Sequence, residues 1–339
     1  MFLESLSIWL KFATCAALIL VAGTRLSREG AVIADKTGLG RAWIGLVLLA
    51  SVTSLPELVT GISAVTAIDA PDIALGDVMG SLVFNLAILF VLDVLHPHES
   101  IFSKARQGHV LAAGFGVVLI GMAGFSLLLA QKNDALSFGH VGVYTPVLLL
   151  AYLLAMRALF RYERDVLPGP ADSPVAQYQN ITLRRAIVGY ALSAVVVVMA
   201  GSWLPFVGAE LAQHYGWHTS FVGTLFVAAA TSLPELVVTL AALRLGALDM
   251  AIANLLGSNL FNIAIIAIDD LFYLRGPLLS HVADTHAFSA FSALTMTGAV
   301  IVGLLYRPQR RLFGVVGWIG LLLLLIYLVN TYVLFRHGS

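Results

Sequence analysis

Ten long apolar stretches constrain the fold of this chain of 339 residues more than any other feature. Each holds about 20 mostly apolar residues, the length that an α-helix needs to cross the hydrocarbon core of a membrane. We therefore predict an all-α polytopic membrane protein with ten transmembrane helices. The predicted spans are 7–23, 41–67, 73–95, 108–130, 138–160, 184–204, 217–243, 250–272, 285–305 and 313–335.

The composition excludes several classes of protein. Only 11% of the residues are charged and 59% are hydrophobic, whereas a soluble domain carries about 25% charged residues. The apolar surface must therefore face lipid. Lysine plus arginine and aspartate plus glutamate balance at 19 each, so nothing indicates a nucleic-acid partner. A single cysteine, Cys15, excludes a disulfide within the chain and a CxxC metal or redox site.

The basic residues predict how the chain is oriented in the membrane. The loops after odd-numbered spans hold 15 Lys and Arg residues, and the loops and terminus on the other side hold three. Basic residues accumulate in cytoplasmic loops. We therefore expect the odd-numbered loops in the cytoplasm and both termini outside.

The chain also contains an internal repeat. The seven residues 53–59 recur letter for letter at 231–237, an offset of 178, and an offset of 177 aligns the following span with its copy. We predict two five-helix halves, 1–160 and 184–339, joined by a cytoplasmic linker at 161–183. The signature regions of the two halves are 41–95 and 217–272.

The two halves must enter the membrane from opposite sides, because five spans is an odd number. The loop at 24–41 holds four basic residues and its copy at 202–219 holds none, which agrees with this inversion. Inverted repeats are typical of secondary transporters, whose substrate sites lie near the middle of the membrane between the halves.

The repeated motif, Thr-Ser-Leu-Pro-Glu, places a carboxylate beside a helix break. Proline cannot donate a backbone hydrogen bond, so Pro56 and Pro234 leave carbonyls free in mid-span. Such carbonyls persist only inside protein or beside a wet cavity. Glu57 and Glu235 would repel each other unless a cation or protons neutralise them. Carbonyl, hydroxyl and carboxylate oxygens suit a hard divalent cation such as Ca²⁺.

The third and eighth spans carry further oxygens. Each has Gly-Ser at mid-span and an asparagine four residues after the serine, which places both side chains on one helix face. These residues are Ser81 and Asn85 in the first half and Ser258 and Asn262 in the second.

The remaining acidic residues are interpreted as peripheral. Asp77 has an asparagine as its copy and is taken as an entry or supporting residue. Those at span ends are expected to be solvated: Asp69, Asp72, Asp93, Asp249, Asp269 and Asp270.

These motifs resemble those of the cation/calcium exchanger superfamily, and in particular its prokaryotic Na⁺/Ca²⁺ exchanger-type branch. The resemblance implies ten spans in two inverted halves and a bacterial or archaeal inner membrane. It implies that Glu57 and Glu235 are central Ca²⁺ ligands and that the carbonyls of Thr53 and Thr231 share their site. It also assigns additional ligands of flanking Na⁺ sites and a matching polar position. These residues are Ala50, Ser81, Ala228, Ser258 and Asn85.

The sequence departs from the superfamily pattern at several positions. Val52 and Ala230 replace the usual glycine before the motif, and Leu82 replaces an asparagine that the second half keeps as Asn259. Asn262 stands where Na⁺-coupled members often carry aspartate. This loss of an acid leaves both Na⁺ and H⁺ open as the coupling ion.

We predict a secondary-active antiporter that exchanges Ca²⁺, or a similar divalent cation, for Na⁺ by alternating access. The expected partners are inorganic cations and membrane lipid, with no cofactor, and a monomer is sufficient. One alternative is an H⁺-coupled cation antiporter. A remote alternative is an intramembrane enzyme that uses paired carboxylates, although no nucleophile and base pair accompanies them.

Overall fold

The computed structural model describes residues 2–37, 50–96, 99–106, 108–132, 136–166, 181–308, 311–312 and 315–337. Nearly all of these residues are helical. In the first half the helices are α1 (Phe2–Thr37), α2 (Ala50–Thr53), α3 (Leu55–Ala67), α4 (Pro71–Leu95), α5 (Ile101–Lys104), α6 (Gly108–Ala130) and α7 (Tyr144–Val166). In the second half they are α8 (Leu183–Tyr215), α9 (Thr219–Thr231), α10 (Leu233–Arg244), α11 (Leu248–Phe272), α12 (His286–Tyr306) and α13 (Trp318–His337).

Eight of the described helices are long and apolar enough to cross a membrane, and α9 with α10 forms a ninth, bent span. The remaining predicted span, 41–67, falls partly outside the described residues. Its described part comprises α2 and the 13 residues of α3. The all-helical membrane fold is therefore confirmed, while the count of ten stays a prediction.

Two helices are much longer than their predicted spans. The helix α1 has 36 residues and α8 has 33, so each is about 50 Å long at 1.5 Å per residue. They occupy equivalent positions in the two halves. Gly216, in the left-handed region at φ 66°, ends α8.

The fifth span was predicted from residue 138, which is wrong at its start. Ser137–Phe138 and Val141–Gly142 form a small antiparallel hairpin, and the helix begins only at Tyr144. Gly139 adopts the left-handed conformation at the turn. The Gly142 backbone N–H donates to Asp270 at 2.8 Å. This N–H therefore has a hydrogen-bond partner although it is not part of a helix.

The repeated motif breaks its span in both halves. The breaks fall at Ser54 and Ser232, and in the second half the two helix segments meet at a 44° bend. Proline then occupies the first turn of α3 and of α10, where the missing N–H costs nothing. The predicted breaks beside Glu57 and Glu235 are thus present.

Buried aspartates accept hydrogen bonds from backbone groups of the opposite half. Asp93 accepts hydrogen bonds from the N–H groups of Ile101 and Gly317, at 2.9 and 2.6 Å. Asp270, its copy, accepts from those of Leu278 and Gly142. Both aspartates are fully buried, so the expectation that they are solvated is wrong.

A second pair of contacts repeats with the same symmetry. Asp72 accepts from the Ala283 N–H and lies 3.0 Å from His286 Nε2. Its copy, Asp249, accepts from the Arg106 N–H and contacts His109 at the same distance. Each donor lies 177 residues from its counterpart. The aspartate of each half therefore makes the same contacts with the equivalent residues of the other half.

The helices α4 and α11 form the centre of the bundle. They are the most buried of the long apolar helices, and small residues let the broken spans approach them. A β-carbon on Gly80 would overlap with the backbone of Thr224 and the side chain of Ala228. This close approach brings α4 against the break in the second half.

Candidate cation-binding site

Two fully buried glutamates each accept a hydrogen bond from the opposite half of the molecule. Glu57 Oε1 accepts a hydrogen bond from the hydroxyl of Ser232 at 2.8 Å, and Glu235 Oε1 accepts one from Ser54 at 3.0 Å. Ser54 and Ser232 are copies of one another. Each half therefore orients the glutamate of the other half.

The other oxygen of each carboxylate has no such partner. The hydroxyls of Ser81 and Ser258 donate longer hydrogen bonds, of 3.4 Å, but these also go to the Oε1 atoms of Glu57 and Glu235. Within the described part of the chain, Oε2 of Glu57 and Oε2 of Glu235 accept no hydrogen bond, and no Lys, Arg or His forms an ion pair with either glutamate. An uncompensated buried charge is costly, so the arrangement is suited to a bound cation.

The predicted threonines lie at the same place. Thr53 Oγ1 is 3.2 Å from Ser258 Oγ, and Thr231 Oγ1 donates to Asp77 at 2.7 Å. The carbonyls of Ala50 and Ala228 accept hydrogen bonds from the backbone N–H groups of Ser54 and Ser232, at 3.1 and 3.0 Å. These alanine carbonyls are therefore already engaged on their own helices.

The asparagines are brought together only in part. Asn85 Nδ2 donates to Asn259 Oδ1 at 3.0 Å, and Asn259 Nδ2 donates to the carbonyl of Leu82. Asn262 is fully buried, yet neither polar atom of its amide has a hydrogen-bond partner among the described residues. Its oxygen is thus available as a neutral ligand.

Asp77 is a third buried carboxylate, next to the centre. It is fully buried and is held by Thr231, while its Oδ2 has no hydrogen-bond partner in the described ranges. The sequence interpretation gave Asp77 only a supporting or entry role. Its contact with a motif threonine places it beside the site, where it supplies an acid although position 262 is an asparagine.

Sequence reasoning missed the two motif serines and Asn259 as contacts within the site. The signal for the serines was available, because Ser54 and Ser232 belong to the repeated seven residues themselves. Their role depends on contacts across the pseudo-twofold axis, between residues 175 and 181 positions apart. Nothing along one helix shows such contacts.

The long helices α1 and α8 cross the two breaks. A β-carbon on Gly23 of α1 would overlap with the ring of Pro234. Gly201, its copy on α8, lies against Val59 and the carbonyl of Pro56, with its β-carbon position 3.3 and 3.4 Å away. Each long helix therefore passes directly over the break of the opposite half.

Inverted halves, two broken spans and facing buried carboxylates define a secondary membrane transporter of the inverted-repeat class. The sequence profile described as "Sodium/calcium exchanger protein" matches residues 7–162 and 185–336. The chain therefore belongs to the sodium/calcium exchanger family, and it is an integral membrane protein and a transporter rather than an enzyme.

Known proteins resemble the chain over nearly its whole length. It is 27% identical to the sodium/calcium exchanger MaX1 of Methanosarcina acetivorans, over 91% of this chain and 93% of that protein. A solved structure of the sodium-calcium exchanger NCX_Mj superposes with a TM-score of 0.64 at 20% identity, covering 98% and 99% of the two chains. The structure of native YfkE gives a TM-score of 0.65 at 17% identity, covering 99% and 96%.

Proposed function

We propose that this protein exchanges Ca²⁺ for Na⁺ across the membrane by alternating access. The observation that carries the proposal is the pair of buried glutamates that each use one oxygen for a serine of the other half and keep the second oxygen for a ligand. The name of MaX1 supports the same ions.

The proposed ligand set surrounds Glu57 and Glu235. Ca²⁺ takes six to eight oxygens, and the carboxylates, the hydroxyls of the two halves and water can supply them. The set comprises Glu57, Glu235, Thr53, Thr231, Ala50, Ala228, Ser81, Ser258, Asn85 and Asn262. Asp77, which accepts from the Thr231 hydroxyl, lies next to this set. Two Na⁺ or more can replace one Ca²⁺ among these acids, which couples the two fluxes.

The organisation around the site is proposed as well. The halves 1–160 and 184–339 would meet at the site, with 161–183 as a cytoplasmic linker and both termini outside a bacterial or archaeal inner membrane. A monomer contains both glutamates and is sufficient for transport. The helices α1 and α8 would slide over the breaks and expose the site to one side at a time.

Flux measurements test this function. In proteoliposomes, ⁴⁵Ca²⁺ uptake is expected to follow an imposed Na⁺ gradient at neutral and equal pH on both sides. Uptake that ignores Na⁺ and follows a pH gradient would establish the H⁺-coupled alternative instead.

Removing either central charge tests the site. Glu57→Gln or Glu235→Gln is expected to abolish Ca²⁺ transport while the protein still elutes as a folded species in detergent. Glu210→Gln is the matched control. Glu210 is partly exposed and pairs with Lys11, so its loss costs at most about 1 kcal/mol and leaves transport intact. Normal flux in both central variants would refute the assignment.

A further inference from the structure

A second acidic position lies next to the central site on one side only. Asp269 of α11 is fully buried. Within the described chain, neither of its carboxylate oxygens has a hydrogen-bond partner and no basic side chain forms an ion pair with it. A second buried acid, Asp77, precedes Ser81 by one helical turn, and Ser81 contacts Glu57 at 3.4 Å.

The position of Asp269 relative to the centre follows from Gly61. A β-carbon on Gly61 would overlap with the Asp269 carboxylate, so this carboxylate rests against α3 where a side chain is missing. Gly61 follows Glu57 by four residues, and side chains so spaced are neighbours on one helix face, about 5–6 Å apart. Asp269 therefore lies one helical turn from the central glutamate.

The symmetry-related place in the other half is neutral. The copies of Gly61, Asp77 and Asp269 are Thr239, Asn254 and Leu92. There the Asn254 amide donates to the Thr239 hydroxyl at 3.2 Å, and both side chains are uncharged. Sequence divergence between the repeats has thus placed two carboxylates on one side of the centre, whereas the equivalent positions on the other side carry none.

From this asymmetry we infer that Asp269 and Asp77 form a second cation site, on the route between the central site and one face of the membrane. Two buried acids without a basic partner are neutralised by a cation or by protons, and their oxygens suit a hard cation such as Ca²⁺ or Na⁺. The helix α3 runs from the centre toward residue 67, which the charge bias places outside. The second site therefore serves exchange with the outer face. This inference deepens the proposed function and depends on it.

A thermal-shift experiment separates this site from the central one. The full-length Glu57→Gln/Glu235→Gln variant in detergent has no central charge pair and is titrated with CaCl₂ alone and with NaCl alone. At least one of the salts is expected to raise its melting temperature by several degrees, in the millimolar range for Ca²⁺. Adding Asp269→Asn should abolish that rise. Asp284→Asn, which removes an exposed acid, should preserve it.

Two outcomes would overturn the inference. One is a double variant that neither salt stabilises, and the other is an unchanged rise after Asp269→Asn. A merely structural Asp269 would instead lower the melting temperature in cation-free buffer without changing the dependence on salt. Gly61→Ala offers a second variant, which keeps the acid and blocks its position. Failure of the proposed function would show separately, as normal Ca²⁺ flux in Glu57→Gln and Glu235→Gln.

Transport kinetics provide an independent measurement. In otherwise native protein, Asp269→Asn is expected to raise the half-saturating Ca²⁺ concentration about fivefold when Ca²⁺ is supplied at the face near Asp269. The value for the opposite face should not change. An equal change at both faces would contradict a one-sided site.

Discussion

At the scale of single residues, the site depends on hydroxyl groups that cross between the halves. Ser54 and Ser232 donate the shortest side-chain hydrogen bonds to Glu235 and Glu57. Because both glutamates are fully buried, bulk water does not compete with these donors. The serines therefore fix the direction in which each carboxylate presents its remaining oxygen.

Removing either serine hydroxyl is expected to weaken Ca²⁺ binding to a similar extent. A hydrogen bond to a charged group contributes about 1.5–3 kcal/mol, so Ser54→Ala and Ser232→Ala should each raise the half-saturating Ca²⁺ concentration roughly tenfold or more. Ser126→Ala is the matched control, since this hydroxyl donates only to the carbonyl of Met122 on its own helix. The measurement is ⁴⁵Ca²⁺ uptake against concentration. A strong effect of one serine without the other would contradict the pseudo-symmetric arrangement.

The sequence allowed the glutamates, the threonines and the polar residues of α4 and α11 to be placed together, because the repeat marks them twice. It did not indicate the importance of Asp77 or Asp269. Their copies are Asn254 and Leu92, so a search for duplicated residues passes over them. Positions that differ between the halves are where the two sides of a transporter can acquire different properties.

At the scale of helices, α1 and α8 lie where movement would expose the site. Gly23 lies against Pro234, and Gly201 lies against Pro56 and Val59. Small residues at these crossings let the long helices pass close to the breaks.

A methyl group at these crossings is expected to slow the movement. Overpacking a close contact costs about 1–3 kcal/mol, so Gly23→Ala should lower the maximal rate of exchange roughly tenfold, with little change in half-saturating Ca²⁺. Gly201→Ala should have a smaller effect, because its neighbours lie at 3.3 Å or more.

Gly114→Ala and Gly298→Ala are the matched controls, since nothing lies within 4 Å of a β-carbon at either position. Exchange rates at saturating Ca²⁺ make the comparison. A full maximal rate in Gly23→Ala would show that α1 does not slide over the break of the second half.

The lengths of α1 and α8 could not be predicted from apolar runs. Hydropathy ends the first span near residue 23, where charged residues begin, but the helix continues to Thr37. Likewise Asp93 and Asp270 lie at span ends, and their position in the sequence alone predicts that they are solvated, although both are buried. Their donors come from Gly317 and from Gly142, on the opposite half.

At the scale of the whole molecule, the inverted repeat makes a prediction about sidedness. Ala67 and Leu245 are copies, 178 residues apart, and both are exposed where a broken span ends. Since the halves enter the membrane from opposite sides, these two equivalent positions must face opposite compartments. The bias of basic residues predicts that Ala67 lies outside and Leu245 in the cytoplasm.

Single cysteines test this arrangement. The only native cysteine, Cys15, is fully buried and is replaced by alanine. In intact cells, Ala67→Cys is expected to react with a membrane-impermeant maleimide, whereas Leu245→Cys should react only after permeabilisation. Labelling of both positions from one side would contradict the inversion. Labelling with the two sides exchanged would keep the inversion and reverse the orientation, which would place the second cation site of Asp269 at the cytoplasmic face.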